Sequence, residues 1–155
     1  MKDIEISFDG ARVTAENLAD LFEEVGFGSA AEYLNIASFR DKFVGADARG
    51  VFAIEKQTDQ LVGFARVFTD EIFATHISEL CVRPNKQKQG IGSALVRAIT
   101  ERFGHTAIYA EAFSQNTAVF EKYAIVPRAS LVACSRAPQG VSPVLPQYSG
   151  SSHQG

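Results

Sequence analysis

Ile4, Ile6 and Phe8 alternate with polar residues and the alternation stops at Asp9-Gly10, which predicts a first strand followed by a turn. Thr14 stands as a helix N-cap. Behind it Leu18, Leu21, Phe22 and Val25 recur at helical spacing and Gly26 and Gly28 follow as stop signals, so a helix is predicted over 15–25. Tyr33, Ile36, Phe39 and Phe43 step by three or four and predict a second helix over 30–43. The apolar runs Val51 to Glu55 and Leu61 to Phe68 flank the polar loop Gln57 to Gln60 and read as an antiparallel hairpin. Another strand is predicted from Phe73 to Val82, ended by Arg83-Pro84 because proline supplies no ladder donor. A glycine-bearing loop then enters a helix carrying Ile91, Leu95, Ile99 and Phe103 and closed by Gly104. A strand over 107–112, a short helix over 115–123 and a last strand from Leu131 to Ser135 complete the pattern.

Composition sharpens this outline. A chain of 155 residues fits one domain, here 1–137, while 138–155 holds prolines, glycines and serines with little apolar content and reads as a flexible tail. With 46% hydrophobic residues, 12 Phe and a net charge of −3, the chain is neither disordered nor built to neutralise nucleic-acid phosphates. No apolar run approaches the ~20 residues that span a bilayer, and the first residues lack the apolar stretch of a signal peptide. No membrane role and a cytoplasmic location are therefore expected. Cys81 and Cys134 both fall in strand-like runs, where two cysteines are read as small hydrophobes rather than a disulfide.

The strongest chemical signal lies between 80 and 95, where strand, glycine loop and helix follow one another. A helix N-terminus approached through glycines presents free N–H groups and a positive dipole end to phosphate oxygens, and Lys86 and Lys88 add charge nearby. On spacing alone, the glycines could equally serve only close packing of helix on strand. Two nucleotide motifs fit poorly: a P-loop requires Lys-Ser or Lys-Thr directly after its last glycine, where this chain has Ser93-Ala94, and a dinucleotide fingerprint requires a third glycine where Leu95 stands.

The stretch Leu80-Cys81-Val82-Arg83-Pro84, followed by Gln87-Lys88-Gln89-Gly90-Ile91-Gly92-Ser93, resembles motif A of the GNAT acetyltransferases, Q/R-x-x-G-x-G/A. Leu61 to Arg66 and Phe120-Glu121-Lys122 resemble flanking elements of that family, and the resemblance runs from Ile4 to Ser135. It implies an α/β (α+β) GNAT fold: a mixed, mostly antiparallel sheet of six to seven strands, splayed between the strands near 73–82 and 106–112 and flanked by about four helices. It also implies acetyl-CoA as acyl donor and a small-molecule or protein amine as acceptor. By the same resemblance the main chain of Leu80, Cys81 and Val82 meets the pantetheine, the segment Gln87, Lys88, Gln89, Gly90, Ile91, Gly92 and Ser93 holds the pyrophosphate, and Asn116 and Phe120 border the cofactor arm. Asn116 has a rival role as N-cap of its helix.

Attack of an amine on a thioester needs a base for the ammonium proton and benefits from an acid for the departing thiolate. Glu79 and Glu111 are the candidate bases. Counting by two, Glu79 shares a face with Ile77 and Cys81, Glu111 shares one with Tyr109 and Phe113, and His76 falls with Leu80 and Val82, where it reads as a packed strand residue. Members of the family often carry tyrosine where this chain has Phe120, so Tyr123, three residues on, becomes the candidate acid. No cysteine and histidine cluster has metal-ligand spacing and Ser93 has no base partner, so neither a metal nor a serine nucleophile is expected. Phe120 in the tyrosine position also motivates a second reading, a silent acyl-CoA sensor that regulates a protein partner. Phe27, Gly28 and Tyr33 would wall the acceptor side, which suits an apolar amine and a hydrophobic core equally. A homodimer is the common outcome for small domains of this kind.

Overall fold

A computed structural model describes residues 3–45, 49–112, 116–134 and 136. The elements, in chain order, are β1 (Ile4–Ser7), α1 (Ala15–Glu24), α2 (Ala30–Leu34), α3 (Phe39–Val44), β2 (Arg49–Glu55), β3 (Leu61–Thr69), β4 (Ala74–Val82), a 3-10 turn (Pro84–Lys86), α4 (Ile91–Phe103), β5 (Ala107–Ala110) and α5 (Ala118–Glu121). Among the described residues they form one five-stranded sheet in the order β1-β2-β3-β4-β5. The first four strands run antiparallel and β5 joins β4 in parallel.

Helices cover both faces, so β2 and β3 read as continuous apolar runs rather than alternating ones. Phe52, Ile54, Leu61, Phe64 and Cys81 pack with Leu18, Phe22, Tyr33 and Phe39 of α1 to α3. Val51, Ala53, Val62, Ala65, Val67 and Ile77 pack on the other face with Ile91, Leu95, Ile99 and Phe103 of α4 and with Phe120 of α5. Each such side chain, fully buried, contributes about 1.5–3 kcal/mol of transfer free energy. α1 starts as expected: Thr14 accepts from the Asn17 N–H and the Asn17 side chain accepts from the Thr14 N–H.

Three expectations need correction. The helix expected over 30–43 is two helices, because α2 ends at Leu34 with Asn35 as its C-cap and Ser38 adopts a left-handed φ of 57° before α3 begins. That break lets the rings of Tyr33 and Phe39 stack at 5.1 Å in the core, and it makes five α-helices among the described residues rather than about four. The short helix expected over 115–123 is confined to Ala118–Glu121. Thr117, not Asn116, is its N-cap, with no side-chain cap bond, and Ala124 turns the chain away at φ 60°.

The last strand expected at 131–135 is absent among the described residues. Leu131 to Cys134 run outside any strand, with Leu131 63% and Val132 81% exposed, so the described residues form a sheet of five strands rather than six to seven. A short apolar run marks a segment fit for pairing and cannot supply the partner strand. Ser135 and the predicted tail 138–155 lie outside the described residues. No helix among the described residues is long and apolar enough to cross a membrane.

Candidate functional site

β5 pairs along its whole length with only the first half of β4. Cα partners run from Ala74 and Ala107 to Ile77 and Ala110, and a last bond joins the Glu111 N–H to the Ile77 carbonyl at 3.3 Å. Beyond it, among the described residues, Ser78 to Val82 continue β4 beside β3 alone. The two strands therefore part at Ile77, leaving the second half of β4 with an open backbone edge on that side.

A register slip at the same point explains the bend. Arg66 of β3 faces Glu79 and Val67 faces Ile77, so Ser78 is one residue extra in β4, the signature of a β-bulge. The bulge reverses the alternation. Ile77 packs toward α4, yet beyond Ser78 it is Leu80 and Val82 that pack toward α4 while Cys81 enters the α1 to α3 core. Glu79 thus shares a face with Cys81 but not with Ile77, and His76 lies on the face of Glu79, opposite Leu80 and Val82. Period-two counting failed here because it assumed an unbroken strand.

From the open edge the chain turns into the glycine loop. Arg83 is buried, donates through Nε to the Leu61 carbonyl at 2.7 Å and pairs with Glu24 of α1, which fixes the end of β4 against α1. Gln87 Nε2 donates to the Val82 carbonyl at 3.0 Å and Gln89 Nε2 to the Asn85 carbonyl at 3.1 Å, so both side chains shape the loop. Lys88 adopts φ 60° and Gly90, the N-cap of α4, adopts φ 85°, a left-handed conformation that glycine takes without strain. The first intrahelical bond runs from the Ala94 N–H to the Gly90 carbonyl, leaving the N–H groups of Ile91, Gly92 and Ser93 at the helix end. The first turn carries no acidic residue and Lys88 is exposed, so the end keeps its positive character. Lys86 instead pairs with Glu55 at 2.6 Å. Gly63 lets α4 come this close: a Cβ there would lie 3.1 Å from Ile91 Cγ2 and 3.3 Å from the Cys81 carbonyl oxygen.

The opposite face of the parting strands carries side-chain chemistry. Glu79 receives Arg66 through both carboxylate oxygens, with Arg66 Nε 2.6 Å from Oε2, and Ser78 Oγ donates to Oε2 as well. The Arg66 guanidinium lies 4.5 Å from the ring centre of Phe43 and 5.1 Å from that of Phe68. Across the gap, Glu111 Oε1 stands 3.5 Å from His76 Nε2 in a half-exposed pair. The Cys81 thiol is pushed up to about 12 by burial, with the nearby Glu79 charge adding to the rise. It therefore stays protonated and unreactive near neutral pH.

The loop residues and the β4 edge are thus brought to one mouth, where α4 meets the parted strands. Phe120 is buried against α4, and Tyr123 packs partly buried on the same cluster. Asn116 is exposed. Phe113 lies outside the described residues. Arg66, Ser78 and the His76–Glu111 pair were missed from sequence. Their signals were present: Arg66 is the lone charge inside the apolar run 61–68, and a serine-glutamate step interrupts the apolar face of β4.

A family model for the acetyltransferase (GNAT) family matches residues 14–124. Solved structures of similar fold include a candidate acetyltransferase from Deinococcus radiodurans R1, 24% identical, with a TM-score of 0.67, covering 86% of this chain and 89% of that one. An acetyltransferase from Trypanosoma brucei, 18% identical, has a TM-score of 0.62 and covers 86% of this chain and 100% of its own. Glucosamine-6-phosphate N-acetyltransferase from Arabidopsis thaliana, 13% identical, has a TM-score of 0.63 and covers 85% and 97%. At these identities the likeness establishes the fold alone. No curated protein matches the chain.

Proposed function

Because the chain belongs to the GNAT acetyltransferase family, we propose that it moves an acetyl group from acetyl-CoA to a primary amine, by direct attack of the amine on the thioester in a ternary complex in the cytoplasm. The observation that carries this reading is the glycine loop at the mouth of the parted strands, with Gly90 left-handed and three main-chain N–H groups at the end of α4. Pyrophosphate oxygens fit there: no Cβ projects from Gly90 or Gly92, and no carboxylate stands in the first turn of α4. In this reading Gln87 to Ser93 cradle the pyrophosphate, and the open edge of Leu80, Cys81 and Val82 pairs with the pantetheine amides as an added strand would. Asn116 and Phe120 border that arm. When bound, acetyl-CoA supplies the acyl group as a thioester.

The ammonium proton must leave before the amine can attack. Both oxygens of Glu79 are occupied by Arg66 and Ser78, so accepting a proton there would break a charge-assisted bond. Glu111 stands half exposed beside His76, where a proton passes readily to water. We therefore assign the base role to Glu111, directly or through one water, and assign Glu79 to holding Arg66. Tyr123 is the proposed donor of a proton to the departing thiolate.

Isothermal titration with acetyl-CoA, followed by CoA-thiol release on adding amines, tests this. Micromolar binding with amine-dependent release is expected, and absence of binding would overturn the reading of Gln87 to Ser93. The burial of Phe120 where relatives place a tyrosine favours a second reading, an acyl-CoA sensor. Binding without release across aryl, polyamine and amino-acid amines would select it.

A further inference from the structure

The face of β3, β4 and β5 beyond the cover of α1 to α3 carries an aromatic row that neither core absorbs. Phe68 is the register partner of His76, and His76 is the register partner of Tyr109. The alternation of each strand puts the three on one side: Val67, Ile77 and Ile108 pack toward α4, so their neighbours Phe68, His76 and Tyr109 project the opposite way. Phe68 is 42% and Tyr109 49% exposed, with the His76 imidazole between them. Directly beyond this row the strands part, and the Glu111 carboxylate, two residues after Tyr109, stands against His76. Arg66, already saturated by Glu79, flanks the row and stacks on Phe68, so its charge is neutralised toward an incoming cation.

We propose that this row is the acceptor-binding surface and that it selects primary amines carrying a flat apolar body, the body lying on Phe68 and Tyr109 and the ammonium meeting Glu111. The proposal rests on the acyl-transfer reading and deepens it. The charge pattern argues for the occupant. A polycation would need several carboxylates along the face, whereas Glu79 is taken by Arg66 and the carboxylate standing at the gap is Glu111, beside His76. Flat aromatic surface at the other end offers stacking and cation–π contact to a ring or to the ammonium itself. The two faces also divide the reaction: the loop lies at the α4 side, the row lies on the other, and the parting of β4 and β5 joins them.

Two measurements on the full chain test it. The first is titration of 2-phenylethylamine into the protein saturated with CoA, with n-propylamine and spermidine as comparisons. The second is acetyl-CoA-dependent thiol release with the same three amines. Phenylethylamine is expected to bind and to exceed n-propylamine in kcat/KM by roughly tenfold or more, the scale on which apolar pockets discriminate. Phe68→Ala and Tyr109→Ala each raise its KM roughly tenfold with kcat little changed, a larger rise than either gives for n-propylamine, and leave acetyl-CoA affinity as it was. Phe68→Leu keeps apolar volume without a flat ring and gives an intermediate loss. Preference for spermidine, or equal effects of these substitutions on every amine, would overturn the acceptor class. Failure of all three amines to release thiol while phenylethylamine still binds and loses affinity in Tyr109→Ala would sink the transferase reading but leave the surface. Failure of phenylethylamine to bind would sink the surface itself, whatever the turnover.

Discussion

The two faces of β4 are made for different kinds of work. Toward α4, chemistry is carried by the main chain: the open edge from Ser78 to Val82 and the N–H groups at the start of α4, with Leu80, Val82, Ile91 and Phe120 supplying only apolar packing. Toward α1 to α3 it is carried by side chains, Arg66, His76, Glu79 and Glu111, each held by a named partner. The bulge at Ser78 produces the contrast, because it turns consecutive halves of one strand to opposite parity. The lesson is practical. On the first face, substitutions matter when they alter backbone conformation or fill space beside it; on the second, single functional groups matter.

The largest effect is expected on the side-chain face. Glu111→Gln removes the proposed base and should lower kcat by roughly 10²- to 10⁴-fold, with acetyl-CoA affinity and melting temperature unchanged because the residue is exposed. Glu79→Gln should show the reverse profile. It leaves the Arg66 guanidinium, sandwiched between Phe43 and Phe68, without its carboxylate, and should cost about 1–3 kcal/mol in denaturant unfolding. If instead Glu79→Gln abolished turnover in a protein of normal stability, the base assignment would pass to Glu79 and the division of roles proposed for this face would break.

On the main-chain face, Gly90→Val forces a β-branched residue into φ 85° at the cap of α4 and should weaken acetyl-CoA binding roughly 100-fold, about 2.8 kcal/mol. Gly92→Ala is the sharper probe. An added Cβ there meets Val119 Cγ2 at 3.8 Å and Val82 Cγ2 at 3.9 Å, ordinary contacts, and alanine favours the helix by up to about 1 kcal/mol. Stability should hold or rise, while affinity falls roughly tenfold if the pyrophosphate approaches this backbone. Equal affinity in Gly92→Ala would show that the donor does not approach this backbone.

Much of this was readable in the sequence where the physics is local. The capping box at Thr14, the hairpin around residues 56–60 and the strand-loop-helix passage at 80–95 depend on neighbours a few residues apart, and the periodicity of α4 is set by its own apolar stripe. The predicted cofactor loop is a single unit for that reason. What sequence could not show depends on partners far along the chain. The bulge exists only relative to β3, the break at Ser38 serves the packing of Tyr33 on Phe39, and Leu131 to Cys134 form an apolar run like a strand's while lying outside the sheet. The misplaced faces of Glu79 and His76 follow directly from the bulge, since one extra residue reverses every side chain beyond it.

Cys81 belongs to both faces at once, and it gives the smallest but most direct test of their separation. Its main chain lies on the edge proposed to meet the pantetheine, while its thiol is enclosed in the α1 to α3 core. Cys81→Ala should therefore leave acetyl-CoA affinity within about twofold, because main-chain contacts carry no side-chain requirement. The thiol's own signature is alkaline. Unfolded, it ionises near its ordinary value of 9.0; folded, burial holds the proton until about 12. Below pH 9 both states are protonated and the contribution to stability is fully present. As pH rises from 9 toward 12 the unfolded state sheds its proton first, and stability is lost across that window. Tyr33, also raised by burial, adds a loss of the same sign above its ordinary value of 10.0. Denaturant midpoints measured from pH 8 to 11 should fall less steeply in Cys81→Ala than in the wild type. Iodoacetamide at pH 8.5 should modify the exposed Cys134 quickly and Cys81 only on unfolding. Rapid alkylation of Cys81 in the folded protein, blocked by acetyl-CoA, would mean that the thiol opens to the donor side and that the two faces are not separate.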